Sequence, residues 1–351
     1  MSKFFNPRLA SLEAYTPGEQ PQDRRYIKLN TNESPYPPSK GVVKAVNRQA
    51  VERLRLYCDP NATALKEELA KLYNKKTSEV FISNGSDDIL NFAFLAFGAQ
   101  GILFPDISYG FYEVFANLHS LPYEKVALKE NFTIDIKPYC GKGKMVVIAN
   151  PNAPTGLALP LSKIEKLLQA NPDNVVLIDE AYVDFGGTTC ADLIEKYPNL
   201  LCVQTFSKSR SMAGARLGFA IGSEELIADL ETIKYSTNPY NVNALTQAAG
   251  VAAVQENSYY MRNCRRIIKS RNYTKRELEK LGFTVLASKA NFVFAKSDKI
   301  GGQELYLQLK AKGILVRHFE KDRIKDFNRI TIGSQKDMEA FIDAVKEILG
   351  E

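Results

Sequence analysis

Short apolar runs alternate with segments of helical periodicity between residues 61 and 222. The runs are Val80–Ser83, Gly101–Phe104, Lys144–Ala149, Val175–Ile178, Leu200–Thr205 and Leu217–Ile221. Such runs are typical of strands buried on both faces, and helices between them are typical of crossover connections. The pattern therefore predicts an α/β fold built on a mixed, mainly parallel sheet.

The pattern changes after Pro239, where a long helical stretch runs from about Asn243 to Leu281. The apolar runs that follow it are Phe292–Ala295, Ile314–Val316 and Arg329–Ile332. They predict a second, smaller α+β domain. The first residues, rich in Pro, Gly and polar side chains, predict an arm that packs on the small domain or on a partner. The expected organisation is an arm over 1–35, a large domain over 36–240 and a small C-terminal domain over 241–351.

Two helix starts are predicted from capping boxes, in which a hydroxyl and a carboxylate each bond the backbone of the other residue. Ser162 with Glu165 predicts one start, and Ser334 with Asp337 predicts the start of the last helix. The most apolar stretch, residues 89–104, is interrupted by polar and glycine residues and is shorter than the roughly 20 residues of a membrane span. We expect a buried helix that runs into a strand, and no membrane contact.

The composition of the 351 residues is that of a globular protein, with 45% hydrophobic and 25% charged residues. The net charge of +6 is spread along the chain, which favours small anionic ligands over nucleic acid. The five cysteines form no C-x-x-C pair, and the N-terminal segment lacks the apolar core of a secretory signal. We therefore expect reduced thiols and a cytoplasmic location. The two histidines have no metal-ligand spacing, so no metal site is expected.

Polar groups follow two of the predicted strands. After Val80–Ser83 the chain turns through Gly85 into a helix that begins at Ser86 or Asp87, where free backbone N–H groups can bind an anion. A capped helix without a ligand would look the same. After Val175–Ile178 come Asp179, Glu180 and Tyr182, at the sheet edge where α/β proteins bind ligands. A magnesium site in a nucleotide-hydrolysing enzyme would need a G-x-x-x-x-G-K-[ST] loop as well, and the chain has none.

A third strand, Leu200–Thr205, leads into Ser207 and Lys208, and Arg216 follows eight residues later. Most lysines in a chain with 46 basic residues are solvated surface groups. Here, however, three strand ends together supply an anion cradle, a buried carboxylate and an amine. Pyridoxal 5′-phosphate (PLP) requires these groups for its phosphate, its ring nitrogen and its aldehyde. Nearby Arg216 and partial burial would help Lys208 lose its proton.

Several further motifs accompany these three strand ends. The segments are Leu29–Tyr36 (LNTNESPY), Asn84–Asp87, Asn150–Gly156 (NPNAPTG), Asp179–Phe185 (DEAYVDF), Thr205–Lys208 with Arg216, Gly313–Arg317 and Arg329–Gly333. With this set, essentially the whole chain resembles the fold type I PLP-dependent aminotransferases, and within them the histidinol-phosphate aminotransferases. The resemblance implies a large domain with a mixed, mainly parallel sheet and a small α+β domain.

The resemblance also implies roles for individual residues around the cofactor. Lys208 would hold PLP and move the proton of the substrate's Cα. Asp179 would pair with the ring nitrogen, and Tyr182 would donate to the ring oxygen O3′. The cofactor phosphate would be bound by Ser86, Asp87, Ser207 and Arg216.

Three other positions of the cofactor site follow from the resemblance. Tyr109 would stack on the ring, although a core tyrosine is an equally ordinary role for it. Tyr57 would reach the cofactor phosphate of a partner subunit, which implies a homodimer. Relatives usually carry a second Asn where this chain has Ala153, so either Asn152 replaces that contact with O3′ or Tyr182 carries it alone.

On the substrate side, the guanidinium groups of Arg317 and Arg329 suit carboxylates and phosphates alike. The resemblance implies that they hold glutamate or the phosphate of L-histidinol phosphate, with Tyr15 and Asn32 completing the pocket; Arg317 could also be a surface residue. The expected reaction is ping-pong transamination between L-histidinol phosphate and 2-oxoglutarate in histidine biosynthesis. An aromatic amino-acid aminotransferase and a threonine-phosphate decarboxylase are alternatives with the same fold. A dehydrogenase would need G-x-G-x-x-G, which residues 83–88 lack.

Overall fold

The computed structural model of the chain describes residues 2–10 and 12–351. The strands are β1 (Ile27–Lys28), β2 (Val80–Ser83), β3 (Ile102–Pro105), β4 (Tyr123–Val126), β5 (Met145–Ala149), β6 (Val176–Asp179), β7 (Leu200–Thr205), β8 (Gly218–Gly222), β9 (Phe283–Val285), β10 (Phe292–Ser297), β11 (Ile314–Leu315), β12 (Arg317–His318) and β13 (Asn328–Thr331). The α-helices are α1 (Lys40–Ala45), α2 (Arg48–Glu52), α3 (Thr63–Tyr73), α4 (Ser86–Phe97), α5 (Phe111–Leu118), α6 (Leu161–Ala170), α7 (Glu224–Thr237), α8 (Ala244–Gln255), α9 (Asn257–Lys280), α10 (Gly302–Ala311) and α11 (Gln335–Leu349).

The larger sheet has seven strands in the order β2-β8-β7-β6-β5-β3-β4. Strand β8 is antiparallel to both of its neighbours, and all other neighbouring pairs are parallel. The predicted α/β fold with a mixed, mainly parallel sheet is therefore confirmed. Strand β4 was not predicted, because this edge strand exposes Glu124 and Lys125 and has no apolar run.

Helices cover both faces of this sheet, which explains why its inner strands are mostly apolar, with polar residues such as Asp179, Gln204 and Thr205 only toward their carboxyl ends. In β5, Val146 and Ile148 belong to the core on one face, whereas Val147 and Ala149 belong to the core on the other. Successive side chains of a strand point to opposite faces, so most positions of a strand covered on both sides are apolar.

A second, antiparallel sheet has the order β12-β13-β10-β9 and packs against α9 and α11. The arm joins this part of the molecule through β1, in which Ile27 pairs in parallel with Ile314 of β11. Leu29, next to β1, lies in the same core. The arm is thus fixed to the smaller unit by backbone hydrogen bonds and by an apolar contact.

The position of α8 bears on where the two domains divide. Ala249, Ala253 and Val254 of α8 belong to the core of the seven-stranded sheet, although the sequence placed them after the boundary at 240/241. In α9, Tyr260 belongs to that core and Cys264 to the core of the smaller unit. We propose that the large domain extends into α9, which then connects the two units.

Some local predictions hold and others do not. Ser334 and Asp337 form the predicted capping box. Ser162 does not begin a helix, because α6 starts one residue earlier after Pro160, without a side-chain cap. The predicted helical stretch from Asn243 to Leu281 is two helices that meet at Glu256. Among the described helices, none has the length and apolar character that crossing a bilayer requires.

Candidate active site

A cavity of about 230 Å³ lies at the edge of the seven-stranded sheet where β6 and β7 end. Strand β2 ends at the same edge, because it and β7 are both antiparallel to β8. The sheet therefore brings the three predicted strand ends together, at the edge where ligands bind in α/β proteins. The cavity is lined by eight of the predicted residues, namely Ser86, Asp87, Tyr109, Asp179, Tyr182, Ser207, Lys208 and Arg216.

Asp179 is the last residue of β6, and its carboxylate is almost completely buried. Its oxygens accept hydrogen bonds from the hydroxyl of Tyr112 at 2.8 Å and from the backbone N–H of Ala181 at 3.2 Å. Burial raises the pKa of Asp179 to about 6, although these bonds and the positive charge of Lys208 oppose the rise. Asp179 is thus a buried acid that titrates close to neutral pH.

The amine of Lys208 lies between the two sheets. It donates a hydrogen bond to the backbone oxygen of Thr31 at 3.2 Å and lies 5.9 Å from the centre of the Tyr182 ring. Burial and the positive charge of Arg329 lower the pKa of Lys208 to about 8. A substantial fraction of this amine is therefore neutral near physiological pH, as a nucleophile or a base must be.

One end of the cavity is rich in groups that bind anions. Helix α4 begins there after Gly85 without a side-chain cap, which leaves its first N–H groups free. Arg216 forms an ion pair with Asp87 at 3.0 Å, and Tyr109 donates to the other oxygen of Asp87 at 2.9 Å. Ser207 accepts a hydrogen bond from the hydroxyl of Thr205 at 3.0 Å.

The turn that begins α4 fits closely against strand β8. A Cβ atom on Gly218 would lie 2.5 Å from the backbone of Gly85 and of Ser86. Gly85 itself has φ +85°, a conformation that glycine adopts without strain. The anion-binding end of the cavity therefore depends on two glycines that face each other.

Tyr182 is held by residues from the arm and from the small sheet. Its hydroxyl accepts a hydrogen bond from the side-chain amide of Asn32 at 3.0 Å, and Asn32 in turn accepts one from the hydroxyl of Thr331 at 2.9 Å. Because the phenol oxygen is the acceptor in this contact, its own proton is free to be donated into the cavity. Asn32, predicted as a substrate ligand, therefore also orients Tyr182.

Ala153 lines the cavity, at the position where the family resemblance implied an Asn. The preceding residue, Asn152, faces its own loop. Both N–H groups of its side chain are used, by the backbone oxygen of Ile107 at 3.0 Å and the hydroxyl of Thr155 at 3.1 Å, and its oxygen accepts from Ser108 at 2.8 Å. Asn152 therefore has no free N–H for a ring oxygen, and the structure does not support its predicted contact with the cofactor.

A second, outer cavity of about 360 Å³ adjoins the first, inner cavity and shares Lys208 and Tyr182 with it. None of the described residues that line it is Asp or Glu. Its cationic residues are Lys208, Arg317, Lys321 and Arg329. A cavity with four cations and no acid in its lining attracts anions.

Arg317 and Arg329 lie directly opposite each other in the antiparallel pair of β12 and β13. Like charges at such positions destabilise a sheet, and within residues 2–10 and 12–351 neither arginine has a carboxylate within 4.0 Å. The Nε atom of Arg329 is buried without a hydrogen-bond partner in the described part of the chain. An anion bound between the two guanidinium groups would remove both costs.

Two tyrosines complete the predicted set. Tyr15 of the arm lines the second cavity and stacks on Phe111 with ring centres 4.2 Å apart. Burial raises the pKa of Tyr15, so its phenol stays protonated as a donor. Tyr57 is 84% exposed, stacks on Tyr240 at 4.6 Å and does not line either cavity.

Tyr112 and Lys321 were not predicted. Tyr112 lies in the first turn of α5, three residues after Tyr109, which precedes the helix, and their ring centres are 5.7 Å apart. That spacing was a usable signal. No comparable signal marked Lys321, which lies in a loop between two strands of the small sheet.

The model of the family described as aminotransferase class I and II matches residues 24–345, and the chain belongs to this family. It is 51% identical over 352 residues to histidinol-phosphate aminotransferase of Brachyspira hyodysenteriae, covering 99% of both chains. It is 46% identical over 353 residues to the protein of that name from Clostridium botulinum strain Kyoto, covering 100% of both. Its fold is similar to that of histidinol-phosphate aminotransferase from Sinorhizobium meliloti, solved in complex with PLP, with a TM-score of 0.88, 22% identity and coverage of 100% and 98%.

Proposed function

We propose that this chain is a PLP-dependent aminotransferase that interconverts L-histidinol phosphate and imidazole-acetol phosphate, with 2-oxoglutarate and glutamate as the second pair, in histidine biosynthesis. The observation that carries this proposal is the facing pair Arg317 and Arg329 in a cavity without acidic lining that opens onto Lys208. The names of the full-length relatives support the same substrate.

The residues of the inner cavity fit PLP. Asp179 is a buried carboxylate for the ring nitrogen, and the amine of Lys208 reaches the same space. The uncapped start of α4, with Ser86, Ser207 and Arg216, offers N–H, hydroxyl and guanidinium donors for a phosphate. When the cofactor binds, Arg216 would pair with its phosphate, either in place of Asp87 or in addition to it.

When bound, PLP supplies the electron sink that stabilises the charge left on a substrate's Cα after its proton is removed. The chain's own residues hold and move protons around it. Asp179 would hold a proton on the ring nitrogen, and its burial excludes water from that contact. Tyr182, fixed by Asn32, would donate its free proton to O3′. Tyr109 would cover one face of the ring.

Lys208 would hold the cofactor and act as the base. Its Nζ would take the Cα proton of the substrate and return it to another atom, because its lowered pKa of about 8 makes both states accessible near neutral pH. Glutamate would deliver its amino group and leave as 2-oxoglutarate before the second substrate enters. The same arginines would hold a carboxylate in one half-reaction and a phosphate in the other.

The test is an assay of the purified, PLP-loaded protein with glutamate and imidazole-acetol phosphate, beside phenylpyruvate and O-phosphothreonine. We expect efficient formation of histidinol phosphate, and a loss of at least about 100-fold in Lys208→Ala. Preference for phenylpyruvate, or release of carbon dioxide from phosphothreonine, would overturn the proposal.

We further propose that two copies of the chain form a homodimer with composite sites. An exposed apolar segment carries Leu54, Leu56 and Tyr57, exposed by 48%, 51% and 84%, and Tyr240 extends it. Large exposed apolar patches mark interaction surfaces. Tyr57 would then contribute its hydroxyl to the cofactor phosphate of the partner.

Mixing two inactive variants tests this arrangement. A dimer of one Lys208→Ala and one Tyr57→Ala subunit has one site with both native residues, so mixing should restore activity that neither variant has alone. Mixing Lys208→Ala with Asp179→Ala should restore none, because both residues lie in the same chain's cavity. Failure of the first mixture, with mixed dimers confirmed, would contradict the composite site.

The five free cysteines fit a reducing, cytoplasmic location.

A further inference from the structure

Lys321 lines the outer cavity from the loop that connects β12 to β13. This loop faces the arm, whose Tyr15 and Gln20 line the same cavity from the other side. Lys321 therefore lies in the lining of the same cavity as Arg317 and Arg329.

The part of the loop just C-terminal to Lys321 is held in place by contacts with other segments. Arg323 forms an ion pair with Asp106 at 3.0 Å and donates two further hydrogen bonds, both 3.0 Å long, to the backbone oxygens of Leu128 and Lys129. Ile324 is 2% exposed and packs in a small apolar cluster. These contacts tie the loop to the large domain and hold the backbone of Lys321 beside the cavity.

The charge of Lys321 is not used elsewhere. Within residues 2–10 and 12–351 no carboxylate lies within 4.0 Å of its ammonium group. Glu113 lies within electrostatic reach, but its carboxylate already binds Lys125 at 2.6 Å and Tyr123 at 3.0 Å. By contrast, Lys325 in the same loop pairs with Asp322 at 3.2 Å and does not line the cavity.

We propose that Lys321 is a specificity-determining residue, which binds the phosphate of the substrate together with Arg317 and Arg329. This inference rests on the proposed function and adds a third cation to the proposed phosphate-binding site. A phosphate monoester dianion concentrates two charges on one group, and each of its three terminal oxygens can accept more than one hydrogen bond, so it can bind a further donor besides two guanidinium groups. The compact ammonium of a lysine suits that place as a point charge.

The experiment compares Lys321→Gln with wild type on L-histidinol phosphate and on unphosphorylated L-histidinol. We expect the ratio of the two kcat/KM values to fall about fivefold, the effect of one solvent-exposed ion pair. Lys321→Arg should restore most of the ratio, and the matched control Lys325→Gln should leave it unchanged. An unchanged ratio in Lys321→Gln, or an equal fall in Lys325→Gln, would overturn the inference.

A second readout does not depend on turnover. In the PLP-loaded protein the cofactor's phosphate site is filled, so added inorganic phosphate reports on the outer cavity. Phosphate should raise the Tm of wild type and of Lys325→Gln more than that of Lys321→Gln, with chloride at equal ionic strength as the reference. Equal shifts in all three proteins would count against Lys321. A wild-type protein that stabilises with phosphate but does not use histidinol phosphate would instead refute the proposed function.

Discussion

The hydroxyl of Tyr112 donates a hydrogen bond to Oδ2 of Asp179 at 2.8 Å, in surroundings where both side chains are buried. Burial raises the pKa of Tyr112, so the phenol remains a proton donor. Burial also raises the pKa of Asp179 to about 6, and the bond from Tyr112 stabilises the ionised form against it. Tyr112 is therefore positioned to keep the carboxylate charged at the pH at which the protein would work.

Replacing Tyr112 with Phe should raise the pKa of Asp179, because it removes a donor that favours the charged form. Activity needs that form, so the acid limb of the kcat/KM profile should move to higher pH by about one unit. Tyr139→Phe is the matched control, since the Tyr139 hydroxyl is buried without a partner in the described chain. An acid limb that stays in place in Tyr112→Phe would show that other groups set the charge of Asp179.

The lowered pKa of Lys208 predicts how the apoprotein takes up PLP. Only the neutral amine attacks an aldehyde, so the uptake rate should rise about tenfold per pH unit below pH 8 and level off above it. Arg329 helps to lower this pKa, and Arg329→Gln should therefore move the midpoint upward. Arg317→Gln should move it less, because Arg317 is not among the main charges that shift this pKa. The measurement is the growth of visible absorbance after mixing, and a rate independent of pH would contradict the assignment.

Gly218 should tolerate no side chain. In Gly218→Ala the new methyl group would lie 2.5 Å from the backbone of Gly85 and Ser86, so β8 or the turn must move. We expect a loss of about 1 to 3 kcal/mol in the free energy of unfolding, together with weaker PLP binding. Denaturant unfolding and equilibrium dialysis measure the two effects. Gly214→Ala, where a methyl group meets nothing within 4 Å, should change neither.

Replacing Glu180 should impair a different property, namely the stability of the folded chain alone. Its buried carboxylate accepts hydrogen bonds from Thr189 at 2.6 Å, Cys190 N at 2.7 Å, Gln204 at 2.9 Å and Cys202 at 3.1 Å. Glu180→Ala should cost about 3 kcal/mol or more in the free energy of unfolding, since four buried donors lose their acceptor. Glu165→Ala, at a more exposed surface pair, is the control. A melting curve unchanged in Glu180→Ala would contradict this role.

The sequence predicted the strands of the large sheet other than β4 well because each one is a run of mostly apolar residues. Val80–Ser83 and Leu200–Thr205 were placed to the residue, since burial on both faces leaves a continuous signal. The rule that parallel strands end at one edge of the sheet then predicted that the residues at their carboxyl ends lie close together. Lys208 and Asp179 could therefore be brought together before any coordinates were known.

Other features depend on contacts between distant segments and leave no local pattern. The register that sets Arg317 against Arg329 is decided by the packing of two short strands, of which β12 has only two residues. The same holds for Lys321, whose place at the cavity is fixed by Arg323 reaching Asp106, 217 positions away in sequence. Asn152 was predicted from a motif, but its direction depends on the loop around it, where Ile107 and Thr155 take its amide.

On the proposed function, the facing arginines would make the substrate a structural component of the small domain. Without an anion, β12 and β13 bring two positive charges together, and the Nε atom of Arg329 is buried without a partner in the described chain. A phosphorylated ligand at about 100 times its Kd would add about 2.7 kcal/mol to the stability of the folded chain. The time that a copy survives in the cell, before unfolding exposes it to proteases, then rises with the supply of the metabolite it consumes. Starvation for substrate would shorten the life of the protein itself.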